Sequence, residues 1–236
     1  MTRFSKGFLI AFGLVISSAS SNAQIALGFD IEVTDPSRLL AAMDKYTESE
    51  TSNSIPATAI LSQYVANGNS SATHNLAVFY PSVEGMDDAF LKNALSADWN
   101  EFLTEFGAAS NTVLNVMFEP TGITNNNADA LTSDLYASRW IVIDVTDEAA
   151  FAAEWQQLVN SDPTNWDVNA GLCRITAPGD ATGTHLVVYQ ANNFSTLLSV
   201  RNSDRLGMAS FQRAVNSISA VYSNSMVNTV KTWTNQ

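Results

Sequence analysis

Apolar and polar residues alternate through Phe29-Asp30-Ile31-Glu32-Val33 and again through Ile141-Val142-Ile143-Asp144-Val145, with the odd positions apolar in both. A period of two turns one side-chain face toward a core and predicts a β-strand in each stretch. Both runs stop at Thr-Asp. Asp35 and Asp147 suit the N-cap of a helix, and Pro36 takes the favoured first helical position after the former. A helical spacing follows: Leu39, Met43 and Tyr46 share a face, as do Phe151, Trp155 and Leu158.

These stretches are two copies of one text. Val33-Thr34-Asp35 returns as Val145-Thr146-Asp147, 112 residues on, and Gly68, Thr73 and His74 return as Gly179, Thr184 and His185, 111 on. Strand-like runs at 57–66 and 168–177 lead into Asn67-Gly68-Asn69 and Pro178-Gly179-Asp180, which carry hairpin-turn chemistry. The returning strands are 73–80 and 184–190. A second helical stripe matches Trp99, Phe102, Leu103 and Phe106 with Phe211, Ala214, Val215 and Ile218 at an offset of 112, and final strands are expected at 112–118 and 226–233. Two long copies predict homologous halves, where many short ones would predict a solenoid.

Each half reads strand, helix, strand, strand, helix, strand, the order of a ferredoxin-like unit with two helices on one face of a four-stranded sheet. The expected fold is α+β: a tandem duplication of a βαββαβ unit, its two antiparallel sheets burying their free faces against each other as an intrachain α/β barrel with helices outside. The halves span 24–120 and 139–236. Residues 121–138, rich in Asn, Asp and Thr, read as a surface connection.

Residues 1–23 read as a secretory signal peptide, with Arg3 and Lys6 before an apolar run from 8 to 16 and Ser21-Asn22-Ala23 at the cleavage point. That run is about half the ~20 residues a spanning helix needs. The expected location is therefore periplasmic or secreted, with no membrane association after cleavage. The net charge of −12 becomes −14 once the two basic leader residues are gone. An acidic chain of this kind opposes binding to nucleic acid, which requires clustered Lys and Arg. Cys173, the single cysteine, sits in an apolar strand-like run and reads as a buried structural thiol.

At this level the chain resembles a fused version of the dimeric α/β-barrel superfamily, which includes antibiotic-biosynthesis monooxygenase-like, muconolactone isomerase-like and stress-responsive barrel families. Stretches 140–158 and 185–215 carry the resemblance, echoed by 29–46 and 74–106. It implies the barrel fold. Members include cofactor-independent monooxygenases, isomerases, haem enzymes and proteins with no known reaction, and no catalytic motif transfers residue by residue.

Candidate chemistry comes from the residues themselves. His74 and His185, the two histidines, could act as bases, or their Thr-His pairs could satisfy hairpin backbone groups, inherited twice. Glu32 and Asp144 are duplicated carboxylates opposite the apolar face: either they are solvated strand-end groups without a catalytic role or, if the apolar face meets the helices, they point into or around the barrel, where a carboxylate could remove a proton from an acidic C–H. Asp30 shares their face but matches Val142 and is not duplicated. Tyr64, Tyr80, Arg174 and Tyr189 could anchor a ligand in an apolar cavity. No metal-ligand motif, phosphate loop, GxSxG elbow or cofactor fingerprint is present. The expected function is binding of a small apolar or aromatic molecule in the barrel. A cofactor-independent monooxygenase or isomerase, and a structural module with a filled core, are the alternatives.

Overall fold

The computed structural model describes residues 24–235 except 126, 128–130, 134, 162–165, 180–182 and 201–206; the expected signal peptide and Asp180 of the second turn lie outside the described residues. The first half runs β1 (Ile25–Val33), α1 (Pro36–Thr47), α2 (Glu50–Asn53), β2 (Thr58–Ala66), β3 (His74–Tyr80), α3 (Val83–Ala94), α4 (Ala97–Ala109) and β4 (Ser110–Thr124). The second runs β5 (Ala137–Val145), α5 (Glu148–Asn160), β6 (Asn169–Ala177), β7 (His185–Ala191), α6 (Phe194–Ser199), α7 (Met208–Val215) and β8 (Ser219–Thr234). The eight strands close into one antiparallel barrel in the order β1-β3-β2-β8-β5-β7-β6-β4. Each half contributes a ferredoxin-like sheet, β4-β1-β3-β2 or β8-β5-β7-β6. The β2–β8 and β4–β6 ladders join the two sheets and pair the edges that each would otherwise expose.

The same local devices start both halves. Asp35 and Asp147 each accept a hydrogen bond at 3.0 Å from the backbone N–H three residues on, capping α1 and α5. Gly68 and Gly179 hold positive φ in the two hairpin turns. Thr73 and Thr184, just before β3 and β7, accept the Val33 and Val145 amides at 2.8 Å and place their ring neighbours' Nδ1 within 2.9 and 3.0 Å. Helix-side cores form separately in each half. One gathers around Ile31, Leu39, Met43 and Phe102, the other around Phe151, Trp155, Leu158 and Trp166.

The offset of the last helix differs from the expected 112, and that of the last strand from the 114 between the expected starts at 112 and 226. Thr34 donates its amide to Ala109 and Thr146 to Ile218, and the ladder irregularities fall beside Val113 in β4 and Tyr222 in β8. Both comparisons give 109, so Phe211 corresponds to Phe102, not to Trp99. The error is three residues, close to one helical turn, which leaves an apolar stripe on the same face and hides the slip from periodicity. The final strands are also longer than expected. β4 continues to Thr124, into the stretch read as a connection, because it pairs with β6 there and Thr121 donates its hydroxyl to the Leu172 carbonyl at 2.8 Å. Helix α3, which buries Met86, Ala89 and Asn93, was not among the expected elements.

Candidate functional site

Strand alternation divides the side chains of the barrel between two environments. Odd positions of β1 face the helices, while Gly28 and Asp30 point into the lumen, where a cavity of about 160 Å³ lies between the two sheets. Its walls are mainly apolar: Ile60, Ala77, Phe79, Val116 and Phe118 from the first half, Trp140, Val142, Ile175, Leu186 and Val188 from the second. Among the described residues lining it, Asp30 is the charged one. Its Oδ1 accepts two hydrogen bonds, from the Tyr64 hydroxyl at 2.6 Å and the Asn75 amide at 2.8 Å. The ladders impose this grouping, since Asp30 lies opposite Asn75, and Asn75 opposite Ser62, two residues from Tyr64. Burial, and then the Asp30 carboxylate, push the Tyr64 phenol far above its ordinary pKa, so it serves as a neutral donor. Tyr64 also meets Trp140 edge-on with ring centroids 6.1 Å apart.

The duplication leaves a built-in comparison. At the equivalent lumen positions the second half has Val142 for Asp30, Leu186 for Asn75, Cys173 for Ser62 and Ile175 for Tyr64, and the pairing of Val142 with Leu186 and Cys173 with Leu186 repeats the same ladder geometry. At these four positions one wall of a pseudo-symmetric chamber is polar and its counterpart is apolar. Ser138, Gln190, Ser223 and Ser225 add polar groups elsewhere on the second wall. Tyr222, at the irregularity in β8, also lines the cavity and is 54% exposed, so it sits where the lumen meets solvent.

Of the residues singled out in the sequence, Tyr64 lines the lumen. Glu32 and Asp144 are exposed, lie beyond the irregularities in β1 and β5 at the strand ends, and do not line it. His74 and His185 are buried at the helix-facing starts of β3 and β7, each beside its threonine, and burial lowers both pKa values. Arg174 is on the outer face, paired with Glu148, whose carboxylate also lies 3.9 Å from His185 Nε2. Tyr80 faces the first half's helices. Tyr189 is buried in the second, stacked on Trp166 with centroids 6.4 Å apart. Cys173 touches the lumen, and burial pushes its thiol up to about 12. Sequence reasoning passed over Asp30 because it was not duplicated. Its position on the lumen face was legible, but its partners Asn75 and Tyr64 become neighbours only through ladder pairing.

A second cavity, of about 300 Å³, lies on the opposite face of the first sheet, under α1 and α4. Phe29, Met43, Tyr46, Val78, Trp99 and Phe102 are among its walls. Its polar groups are largely satisfied internally, with the Tyr46 hydroxyl donating to Asn93 at 2.6 Å and burial raising that phenol to about 12. In the second half Trp155, Trp166 and Tyr189 stand at the positions of Met43, Ile55 and Val78, and they pack there against one another. Among the described residues no group of three or more His, Cys, Asp or Glu side chains could hold a metal ion.

No family model matches the chain, and no curated protein matches it. Solved structures do. A candidate monooxygenase from Fusobacterium nucleatum superposes with a TM-score of 0.62 at 13% identity, over 91% of this chain and 96% of that one. An anthrone oxidase-like protein gives 0.58 at 13% identity, over 93% and 96%. A candidate monooxygenase from Lactobacillus acidophilus gives 0.57 at 9%, over 91% and 97%. Coverage of both chains from end to end identifies the duplicated, ferredoxin-like dimeric α/β-barrel fold; at these identities the likeness concerns fold alone.

Proposed function

We propose that this protein is exported and binds a small, mainly apolar or aromatic molecule in the lumen of its barrel. The observation that carries the reading is the cavity itself: mainly apolar walls and, among the described residues, one carboxylate that is oriented by two donors at its Oδ1. Small-ligand sites combine an apolar enclosure with a few directed polar groups in this way. The leader-like pattern of residues 1–23 supports export.

The first half's helix-side cleft supports a second location for the same ligand class. It is the larger cavity, and the second half fills the equivalent space with Trp155 and Trp166. The lumen is preferred because Asp30 has hydrogen-bonding capacity to spare, whereas Tyr46 and Asn93 satisfy each other. An enzyme of the monooxygenase or isomerase type would use the same Asp30 oxygen as its base. The likeness to candidate monooxygenases lends that alternative weak support.

Ala77 and Ala59 separate the two locations, since they lie on opposite faces of one sheet and line the lumen and the cleft respectively. Fluorescence titration with 2-naphthol is expected to show binding to the wild type and to Ala59→Phe, and none to Ala77→Phe, with circular dichroism confirming that both variants fold. The reverse pattern would move the site to the cleft. Absence of binding to the wild type would remove the small-molecule reading in this form.

A further inference from the structure

The lumen carries an electrostatic imbalance. Asp30 Oδ1 is engaged by two neutral donors, and no described side chain donates to Oδ2 or forms an ion pair with it. No Lys, Arg or His is among the described residues lining the cavity. Gln24, where the chain would begin after removal of its leader, also lines it, but six residues up β1 from Asp30, roughly 20 Å at the usual rise per residue. A half-buried carboxylate without a counter-ion still loses part of its hydration, and a ligand cation would offset that cost.

We propose that the lumen's ligand is a small monocationic amine whose ammonium pairs with Asp30 Oδ2 and whose aromatic or aliphatic body lies against the apolar second wall; this rests on the lumen being the binding site. The enclosure fits that chemistry at both ends. Tyr64 and Trp140, in edge contact beside Asp30, offer aromatic surface to a cation, which such surfaces attract within about 6 Å. Val142, Leu186 and Ile175, which replace Asp30, Asn75 and Tyr64 in the other half, leave a single anionic anchor and an apolar surface opposite. One anion suits one cation. The protein's charge of −12 further raises the local concentration of cations around it.

The experiment compares three probes of one shape by titration calorimetry at neutral pH: 2-phenylethylamine, 2-phenylethanol and phenylacetate. The wild type is expected to bind the amine at least about tenfold more tightly than the alcohol, the increment expected of a charge-assisted contact, and to reject the acid. Asp30→Asn keeps the shape and should abolish the amine's advantage while retaining the alcohol. Ala59→Phe, on the other face of the same sheet, leaves the lumen and its carboxylate in place, should preserve the advantage, and guards against attributing a folding defect to lost charge. Equal binding of amine and alcohol, or an advantage that survives Asp30→Asn, would overturn the amine assignment and leave the lumen reading standing. No binding of any probe to the wild type would overturn both.

Discussion

The Thr73 hydroxyl oxygen accepts the Val33 amide at 2.8 Å, locking the start of β3 to the end of β1, and Thr184 does the same for Val145. Each threonine also receives structural use of its backbone, donating N–H to Ile31 or Ile143 at 2.9 Å. Replacement by valine keeps the shape and removes the acceptor. Thr73→Val and Thr184→Val should each cost about 0.5–1.5 kcal/mol, the net worth of one hydrogen bond, with the more exposed Thr73 at the lower end. Urea denaturation measures this; unchanged midpoints in both variants would show that the duplicated contact contributes nothing.

Acid should weaken the fold before the carboxylates titrate. Burial lowers the pKa of His74, and burial lowers that of His185 against an opposing pull from Glu148. The unfolded chain, with imidazoles near their ordinary value of about 6.5, therefore takes up protons first as pH falls, and stability declines below that point. Above it the contribution is flat. Melting temperatures across about pH 5 to 8 should fall on the acid side, and less steeply in a His74→Gln/His185→Gln variant. An equally steep fall in that double variant would assign the acid loss to other groups.

Cys173 should behave as an inert thiol. Burial pushes its pKa to about 12, so little thiolate forms at neutral pH. Ellman's reagent should leave the native protein unlabelled and modify one thiol once the chain is denatured. Rapid native labelling would mean that the lumen opens widely enough to expose β6.

Trp155 and Met43 occupy equivalent places under the two sheets, but their surroundings differ. Trp155 is fully buried between Tyr189 and Phe211, whereas Met43 borders the open cleft. Trp155→Ala should cost about 3–5 kcal/mol and Met43→Ala less, since a residue beside an existing cavity gives up fewer contacts. Comparable losses would indicate that the cleft closes in solution.

Alternation in β1 and β5, the Asp caps and the recurring Thr-His pairs made the duplicated βαββαβ plan readable, because each depends on neighbours within a few residues. Helix α3 was not, since its counterpart α6 has only six residues and offers the repeat no second long stripe to match. The register of α7 was misread by three residues for another reason: stripes rich in apolar residues look alike after one turn. Duplication also proved a poor guide to the candidate site. Glu32 and Asp144 are matched and exposed, whereas Asp30 is unmatched and faces the cavity.

The sequence by itself determined the two half-domains, their strand and helix order, and which face of β1 turns away from the helices, all consequences of short-range periodicity and turn chemistry. Only the tertiary structure decided that β2 meets β8 and β4 meets β6, closing one lumen, and that Asp30, Asn75 and Tyr64 converge within it. Ladder pairing joins residues tens of positions apart, and the side chains it gathers leave no local pattern along the chain.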